Sequence, residues 1–98
     1  MGMQTVVILN VGSASFKARP AYAVTKPGEQ VKFSNYTGQI VTLTFPTGLF
    51  DKNQLILSNG VKDTLTVQDV ADDRYTYTGD VNGVEVVGES SPEIIVDR

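Results

Sequence analysis

The stretch that decides the fold is residues 31–45, VKFSNYTGQIVTLTF. Apolar side chains recur at every second position in each half of it, which is the period of a β-strand with one buried face. They are Val31 and Phe33 in the first half and Val41, Leu43 and Phe45 in the second. Residues 35–38 separate the halves with side chains that favour turns. The stretch therefore predicts two strands that pair like a hairpin and share a buried face.

The rest of the chain continues the pattern of short strands between turns. No segment has the 3.6-residue apolar period of a long helix. About seven to nine strands in so short a chain predict a single all-β domain over residues 1–98, a two-sheet Greek-key β-sandwich. We expect residues 1–3 to be a cloning scar or a mobile terminus. The alternation places the core at Val31, Phe33, Leu43, Phe45, Leu65, Val67, Tyr75 and Tyr77.

The composition excludes several kinds of chemistry. The 98 residues include no Cys, no His and no Trp. Disulfides, thiolate or imidazole metal sites, and nucleophiles activated by His are therefore absent. We predict that the protein is not an enzyme and carries no cofactor. An enzyme that uses Asp, Glu or Ser is the remaining catalytic alternative.

The charges are distributed unevenly along the chain. Residues 1–33 hold four Lys or Arg against one Glu, whereas residues 67–98 hold eight carboxylates against two Arg. No basic stripe is visible in the sequence, so we predict no nucleic-acid partner. No apolar run is long enough to span a membrane. The compartment stays open: periplasmic or secreted if a signal peptide was trimmed, otherwise cytoplasmic.

An acidic cluster lies between two of the predicted strands. Its members are Asp69, Asp72 and Asp73. Carboxylates so close together can bind a cation, but their spacing fits no EF-hand loop. The sequence favours a solvated turn at this point and leaves cation binding open.

Two segments resemble cupredoxins, the plastocyanin-like blue-copper proteins. Residues 27–35, PGEQVKFSN, resemble the Pro-Gly turn and following strand that ends at Asn in that family. Residues 75–87, YTYTGDVNGVEVV, resemble its tyrosine-rich strand and ligand loop. The resemblance covers about residues 16–97 and implies a cupredoxin-like sandwich. An immunoglobulin-like sandwich is the alternative.

The resemblance also implies where copper ligands would stand. Val41 matches the first His, Gly79 the Cys, Asn82 the second His and Val87 the axial Met. Of these four, only Asn82 has a side-chain donor, a weak amide oxygen, so the resemblance implies a scaffold that has lost copper binding. We expect the four positions to converge at one end of the sandwich.

The function that follows is a non-enzymatic binding module. The loops 36–40 and 79–92 would carry recognition at the ligand end, and Tyr36 and Tyr22 are candidates for a partner surface. The partner is expected to be a protein, and the oligomeric state stays open. The alternative function is a degenerate accessory domain or subunit of a redox or electron-transfer assembly. Residues 35–37 also fit the N-glycosylation sequon.

Overall fold

The computed structural model describes residues 3–12, 15–87 and 92–98. These residues form eleven β-strands and contain no helix. The strands are β1 (Met3–Gly12), β2 (Ser15–Arg19), β3 (Tyr22–Thr25), β4 (Gln30–Tyr36), β5 (Val41–Thr44), β6 (Gln54–Leu57), β7 (Lys62–Thr66), β8 (Asp73–Thr76), β9 (Thr78–Val81), β10 (Val84–Val87) and β11 (Glu93–Val96).

The strands form an eight-stranded sheet and a three-stranded sheet. The order in the large sheet is β6-β5-β9-β10-β2-β1-β4-β7, and in the small sheet it is β3-β11-β8. The predicted all-β sandwich is confirmed. The strand number exceeds the expected seven to nine because single runs of chain serve both sheets. One run leaves the large sheet near Pro20 between β2 and β3, and another passes from the small to the large sheet at Tyr77.

The two halves of the 31–45 stretch do not pair with each other. The predicted hairpin is wrong, because β4 lies between β1 and β7 while β5 lies between β6 and β9. The 36–40 loop instead carries the chain across the core, and the two strands pack through their buried faces. The rings of Phe33 and Phe45 lie 5.2 Å apart, centre to centre. The shared buried face was predicted correctly, but the strands meet face to face across the interior.

An aromatic cluster fills the centre of the core. It consists of Phe33, Phe45, Phe50 and Tyr77, whose rings contact one another at tilted or edge-on angles. Such geometries add to the free energy gained by removing aromatic area from water. Burial raises the pKa of Tyr77 well above its ordinary value, and the hydroxyl has no hydrogen-bond partner among the described residues.

Two expectations need small corrections. Every predicted core residue is buried except Tyr75, which is half-buried and donates its hydroxyl to the carbonyl oxygen of Ala71 at 2.7 Å. Of residues 1–3, which were expected to be a cloning scar or a mobile terminus, Met3 begins β1 and lies opposite Gln30 of β4, while Met1 and Gly2 lie outside the described residues.

Candidate functional site: the loop end of the sandwich

Three connections lie together at one end of the large sheet. We define this loop end by residues 36–40, residues 58–61 and the Asn82–Gly83 turn. Strand β5 begins here at Val41, which lies opposite both Leu57, the last residue of β6, and Val81, the last residue of β9. Strand β7 also begins here, because Lys62 lies opposite Ser34 of β4. The strand pairing therefore brings segments far apart in sequence to one surface.

A buried side chain, Asn35, organises the 36–40 loop. Its Nδ2 donates to the carbonyl oxygens of Gln39 at 2.6 Å and Leu57 at 2.9 Å. Its Oδ1 accepts from the backbone N–H of Thr37 at 2.9 Å and from the Thr37 hydroxyl at 2.8 Å. The Thr37 hydroxyl in turn accepts from the Gln39 N–H at 3.1 Å. The amide replaces backbone pairing that a loop cannot make with itself.

The backbone of Asn35 ties this loop to the neighbouring 58–61 turn. The Asn35 N–H donates to the Val61 carbonyl at 3.0 Å, and its carbonyl accepts from Gly60 at 2.8 Å. The Gly38 N–H donates to Asn59 Oδ1 at 2.9 Å. These hydrogen bonds therefore fix the 36–40 loop and the 58–61 turn relative to each other. The same contacts argue against use of the sequon, because Asn35 is fully buried and its amide nitrogen is occupied.

The positions matched to copper ligands lie on three adjacent antiparallel strands, β5, β9 and β10, and on the turn between β9 and β10. Val41 starts β5, and Asn82 directly follows Val81, the residue opposite Val41. Gly79 lies opposite Leu43 on one side and Val86 on the other. The chain then turns into β10, which carries Val87 away from the loop end to a position opposite Lys17. The predicted 79–92 loop is therefore wrong for residues 79–87, which form a hairpin, while residues 88–91 lie outside the described part.

The interior beside Gly79 is filled with hydrocarbon. A Cβ atom added at Gly79 would lie 2.9 Å from Leu43 Cδ2 and 2.9 Å from Val86 Cβ. Val41 and Val81, which lie opposite each other, are completely buried. Close packing of this kind leaves no space for a larger side chain without displacement of its neighbours. Glycine at position 79 is thus a packing requirement of the three-strand contact.

The tight turn between β9 and β10 explains why asparagine occupies position 82. Its φ is 52° and that of Gly83 is 85°. Positive φ at both central residues is characteristic of the tight hairpin turn that favours Asn-Gly, because this turn matches the twist of the strands. Asp80 Oδ2 accepts from the Gly83 N–H at 3.3 Å.

The outer surface of the loop end carries exposed apolar side chains. Tyr36 is 58% exposed and Ile40 59%, while Val61 and Val11 are less exposed. Beside Ile40 lies an open depression of about 400 Å³, lined by Gln39, Ile40, Thr42, Asp80 and Asn82. Tyr22 is also exposed, but it lies in β3 of the small sheet opposite Glu93. Tyr36 and Tyr22 therefore lie in different sheets.

The acidic cluster is occupied by an arginine. The Arg98 guanidinium lies 2.6 Å from Asp69 and 3.3 Å from Asp72. The Asp69 hydrogen bond, with the nearby carboxylates, raises the pKa of Arg98. Asp73 Oδ1 accepts from the N–H of Arg74 at 2.7 Å. In the ranges that the structure describes, no group of three or more acidic side chains is arranged to hold a metal ion.

Sequence reasoning identified Tyr36 but missed Ile40, Val61 and the structural role of Asn35. A usable signal existed for Ile40, because this apolar side chain follows a turn and breaks the alternation of the strand after it. Val61 makes no such break, because it is in phase with Leu65 and Val67. Asn35 carries no such signal, since its partners Gln39 and Leu57 become neighbours only in the fold.

Comparisons with known proteins agree on the fold alone. No protein-family model matches the sequence, and no curated protein matches it. An oxidized mutant of amicyanin superposes with a TM-score of 0.67 at 16% identity, over 99% of this chain and 84% of that chain. A purple cupredoxin from Nitrosopumilus maritimus superposes with a TM-score of 0.65 at 12% identity, over 96% of this chain and 99% of the other. No helix in the described ranges is long and apolar enough to cross a membrane. The chain therefore has the fold of cupredoxins.

Proposed function

We propose that the chain is a non-enzymatic interaction module on a cupredoxin-like scaffold, that it does not bind copper, and that its loop end binds a protein partner. The observation that carries the proposal is the rigid presentation of Tyr36 and Ile40. Both side chains are more than half exposed, and the loop that bears them is fixed by buried Asn35. Exposed apolar side chains on a pre-organised loop bind at a lower entropic cost than those on a mobile loop.

The clustering of several exposed apolar side chains supports a protein partner. Val61 and Val11 extend the surface beyond Tyr36, since Val61 accepts from Asn35 and Val11 lies near the end of β1 beside β4. Clusters of exposed apolar side chains on small domains mark interaction sites more often than single exposed residues do. Tyrosine is also enriched among the residues that dominate binding at protein interfaces.

The absence of copper binding is proposed from the interior. Val41 and Gly79 have no side-chain donor atom, Val41 and Val81 are completely buried, and the crowding at Gly79 leaves no space for a larger side chain there. The amicyanin structures that superpose on this chain include a reduced Cu(I) form. What distinguishes this chain is therefore the side chains at the loop end.

Docking within a redox assembly is the second candidate, and the cupredoxin fold is the observation that favours it. Both candidates place a protein on the loop end. The identity of the partner decides between them, because only the second requires that the partner carry a redox centre.

The experiment is site-specific photo-crosslinking in the native host. p-Benzoylphenylalanine replaces Tyr36 in one variant and Tyr22 in a matched variant of equal exposure. We expect one dominant protein adduct from position 36 and a much weaker one from position 22. A dominant adduct from position 22 alone would place the interface on the small sheet, and no adduct from either would contradict the proposal.

A further inference from the structure

The outer face of four adjacent strands collects positive charge. Strands β2, β1, β4 and β7 are consecutive in the large sheet. Their inward residues, such as Phe16, Ile8, Phe33 and Leu65, are buried. The alternate residues of each strand point outward. We define the cationic face by four outward residues, which are Lys17, Arg19, Lys32 and Lys62.

The strand register places these cations around an apolar centre. One row across the strands is Arg19, Val7, Ser34 and Lys62. The row nearer the loop end is Lys17, Leu9 and Tyr36, and Lys32 lies one row on the other side. Since neighbouring strands are about 4.8 Å apart, the row from Arg19 to Lys62 spans about 14 Å. Val7 and Leu9, both half-buried, form the middle.

The four strands themselves contribute no carboxylate to this face. The outward positions of the four strands contain no Asp or Glu. The nearest acidic side chain on these strands, Asp63, has the opposite alternation and accepts the N–H of Thr64. Ion pairs in the described part of the chain belong to Arg74 and Arg98, not to the cationic face. Four cations that make no ion pair with the described residues therefore lie on one face of a protein whose net charge is −3.

We propose that the cationic face binds an acidic protein surface with an apolar centre. This inference rests on the proposed function in one respect, namely that the partner is a protein. Charged side chains around an apolar centre are the usual arrangement of protein interfaces. The charged rim speeds the encounter of the two partners, and the apolar centre packs against the partner and excludes water. Tyr36 belongs to the loop end and lies in the same row as Leu9 and Lys17, so one partner can contact both surfaces.

The charge distribution favours a compact acidic surface over a long polyanion. Residues 67–98 carry eight carboxylates against two arginines, and most lie on or beside the strands from β8 to β11. A nucleic acid that extends past the four cations approaches this negative half within about one Debye length, roughly 8 Å at physiological salt. An acidic patch on a folded partner ends where the cations end.

The test uses a short polyglutamate peptide with two central leucines as the probe. Binding is followed by amide chemical shifts of the full chain, with a titration for affinity. We expect shifts concentrated in β1, β2, β4 and β7. Replacing both leucines by serine should weaken binding, because the centre formed by Val7 and Leu9 loses its contact.

Two double variants with the same net charge isolate the face. Lys32→Gln/Lys62→Gln removes two of its cations, and Lys26→Gln/Lys52→Gln removes two exposed lysines outside it. We expect the first pair to weaken peptide binding about five- to tenfold and the second less than about twofold. Equal loss in both would overturn the proposal, since net charge alone would explain it. Adducts at Tyr36 would still support the loop-end interface in that case.

Three further outcomes would also overturn the choice of partner. Single-stranded oligothymidylate that binds the same face more tightly than the peptide would assign it to nucleic acid. Phosphatidylserine vesicles that do so would assign it to an anionic membrane surface. Self-association that Lys32→Gln/Lys62→Gln abolishes would assign the face to the acidic half of a second copy.

Discussion

Two neighbouring regions of the loop end are built in opposite ways. The 35–40 arch depends on polar contacts, because the buried side chain of Asn35 forms hydrogen bonds with three backbone groups and one hydroxyl. The adjacent strand interior depends on hydrocarbon contacts, with Val41 and Val81 fully buried and Gly79 between Leu43 and Val86. One region fixes the shape of the surface, and the other fills the volume beneath it.

The comparison shows that the conformation of the loop and the packing of the interior depend on different kinds of contact. Hydrogen bonds are directional, so the arch tolerates few substitutions at Asn35. Apolar packing is less specific about residue type, so the interior accepts any set of side chains that fits its volume. A protein with a cupredoxin fold can therefore lack metal-ligand atoms in its interior while hydrogen bonds still hold its loop in one conformation.

The largest effect is expected from Asn35→Ala. The substitution removes four hydrogen bonds, and the carbonyls of Gln39 and Leu57 both lose the Asn35 amide as a donor. The Gln39 carbonyl keeps the Thr37 hydroxyl as a donor at 3.1 Å. We expect the free energy of unfolding to fall by about 3–5 kcal/mol, because each buried polar group left unpaired costs about 1–3 kcal/mol. Urea denaturation measures the loss, and amide exchange at Thr37 and Gln39 should accelerate.

Asn59→Ala is the matched control for that prediction. Asn59 accepts a single hydrogen bond, from Gly38, at an exposed position. Its removal should cost about 0.5–1.5 kcal/mol. If the two alanine variants were equally stable, the arch would not depend on the buried amide.

A smaller effect is expected from Gly79→Ala. In an open strand this substitution stabilises by about 0.5–1 kcal/mol, because alanine loses less backbone freedom on folding. Here the new methyl group would approach Leu43 Cδ2 and Val86 Cβ to 2.9 Å. The clash outweighs the entropy, and we expect a net loss of about 1–2 kcal/mol in a urea melt.

A double-mutant cycle tests the cause of that loss. In a Leu43→Val background, Gly79→Ala should cost less, because one of the two crowded contacts is gone. An unchanged cost would show that crowding against Leu43 is not responsible. A stoichiometric visible band on addition of Cu(II) to the unmodified protein would contradict the filled interior altogether.

The sequence predicted most of the fold but little of the pairing. Alternation at Val31, Phe33 and Leu43 identified buried faces correctly, because burial on one face imposes a period of two wherever the strand pairs. It could not show that β4 and β5 face each other across the core. Loop length and a turn-rich composition suit an arch that crosses the core as well as a hairpin between two neighbouring strands.

The candidate site was less predictable for two reasons. The Asn-Gly turn at Asn82 was interpreted through a family pattern, although a tight hairpin is its strongest local meaning. The cations of the large sheet are spread from Lys17 to Lys62, and only the register of four strands brings them to one face. Residues that form a stripe across several strands are not close together in the sequence, so the sequence alone does not reveal the stripe.

The smallest effect, and the most diagnostic of the hydrocarbon region, is expected from Tyr77→Phe. The hydroxyl is buried and has no hydrogen-bond partner among the described residues, so its removal at neutral pH should change stability by less than about 1 kcal/mol, in the stabilising direction.

Burial raises the pKa of Tyr77 above the ordinary value of 10.0. The unfolded chain therefore loses this proton first as the pH rises. Stability is unaffected below about pH 10 and falls above it by up to about 1.4 kcal/mol per pH unit. Urea melts of both proteins at about pH 8 and about pH 11 isolate this residue, because the two proteins differ only at position 77. The difference in stability between the phenylalanine variant and the unmodified protein should widen at the higher pH. A constant difference would mean that the Tyr77 hydroxyl reaches water, and that the packing around Phe33 and Phe45 is looser than their ring contacts indicate.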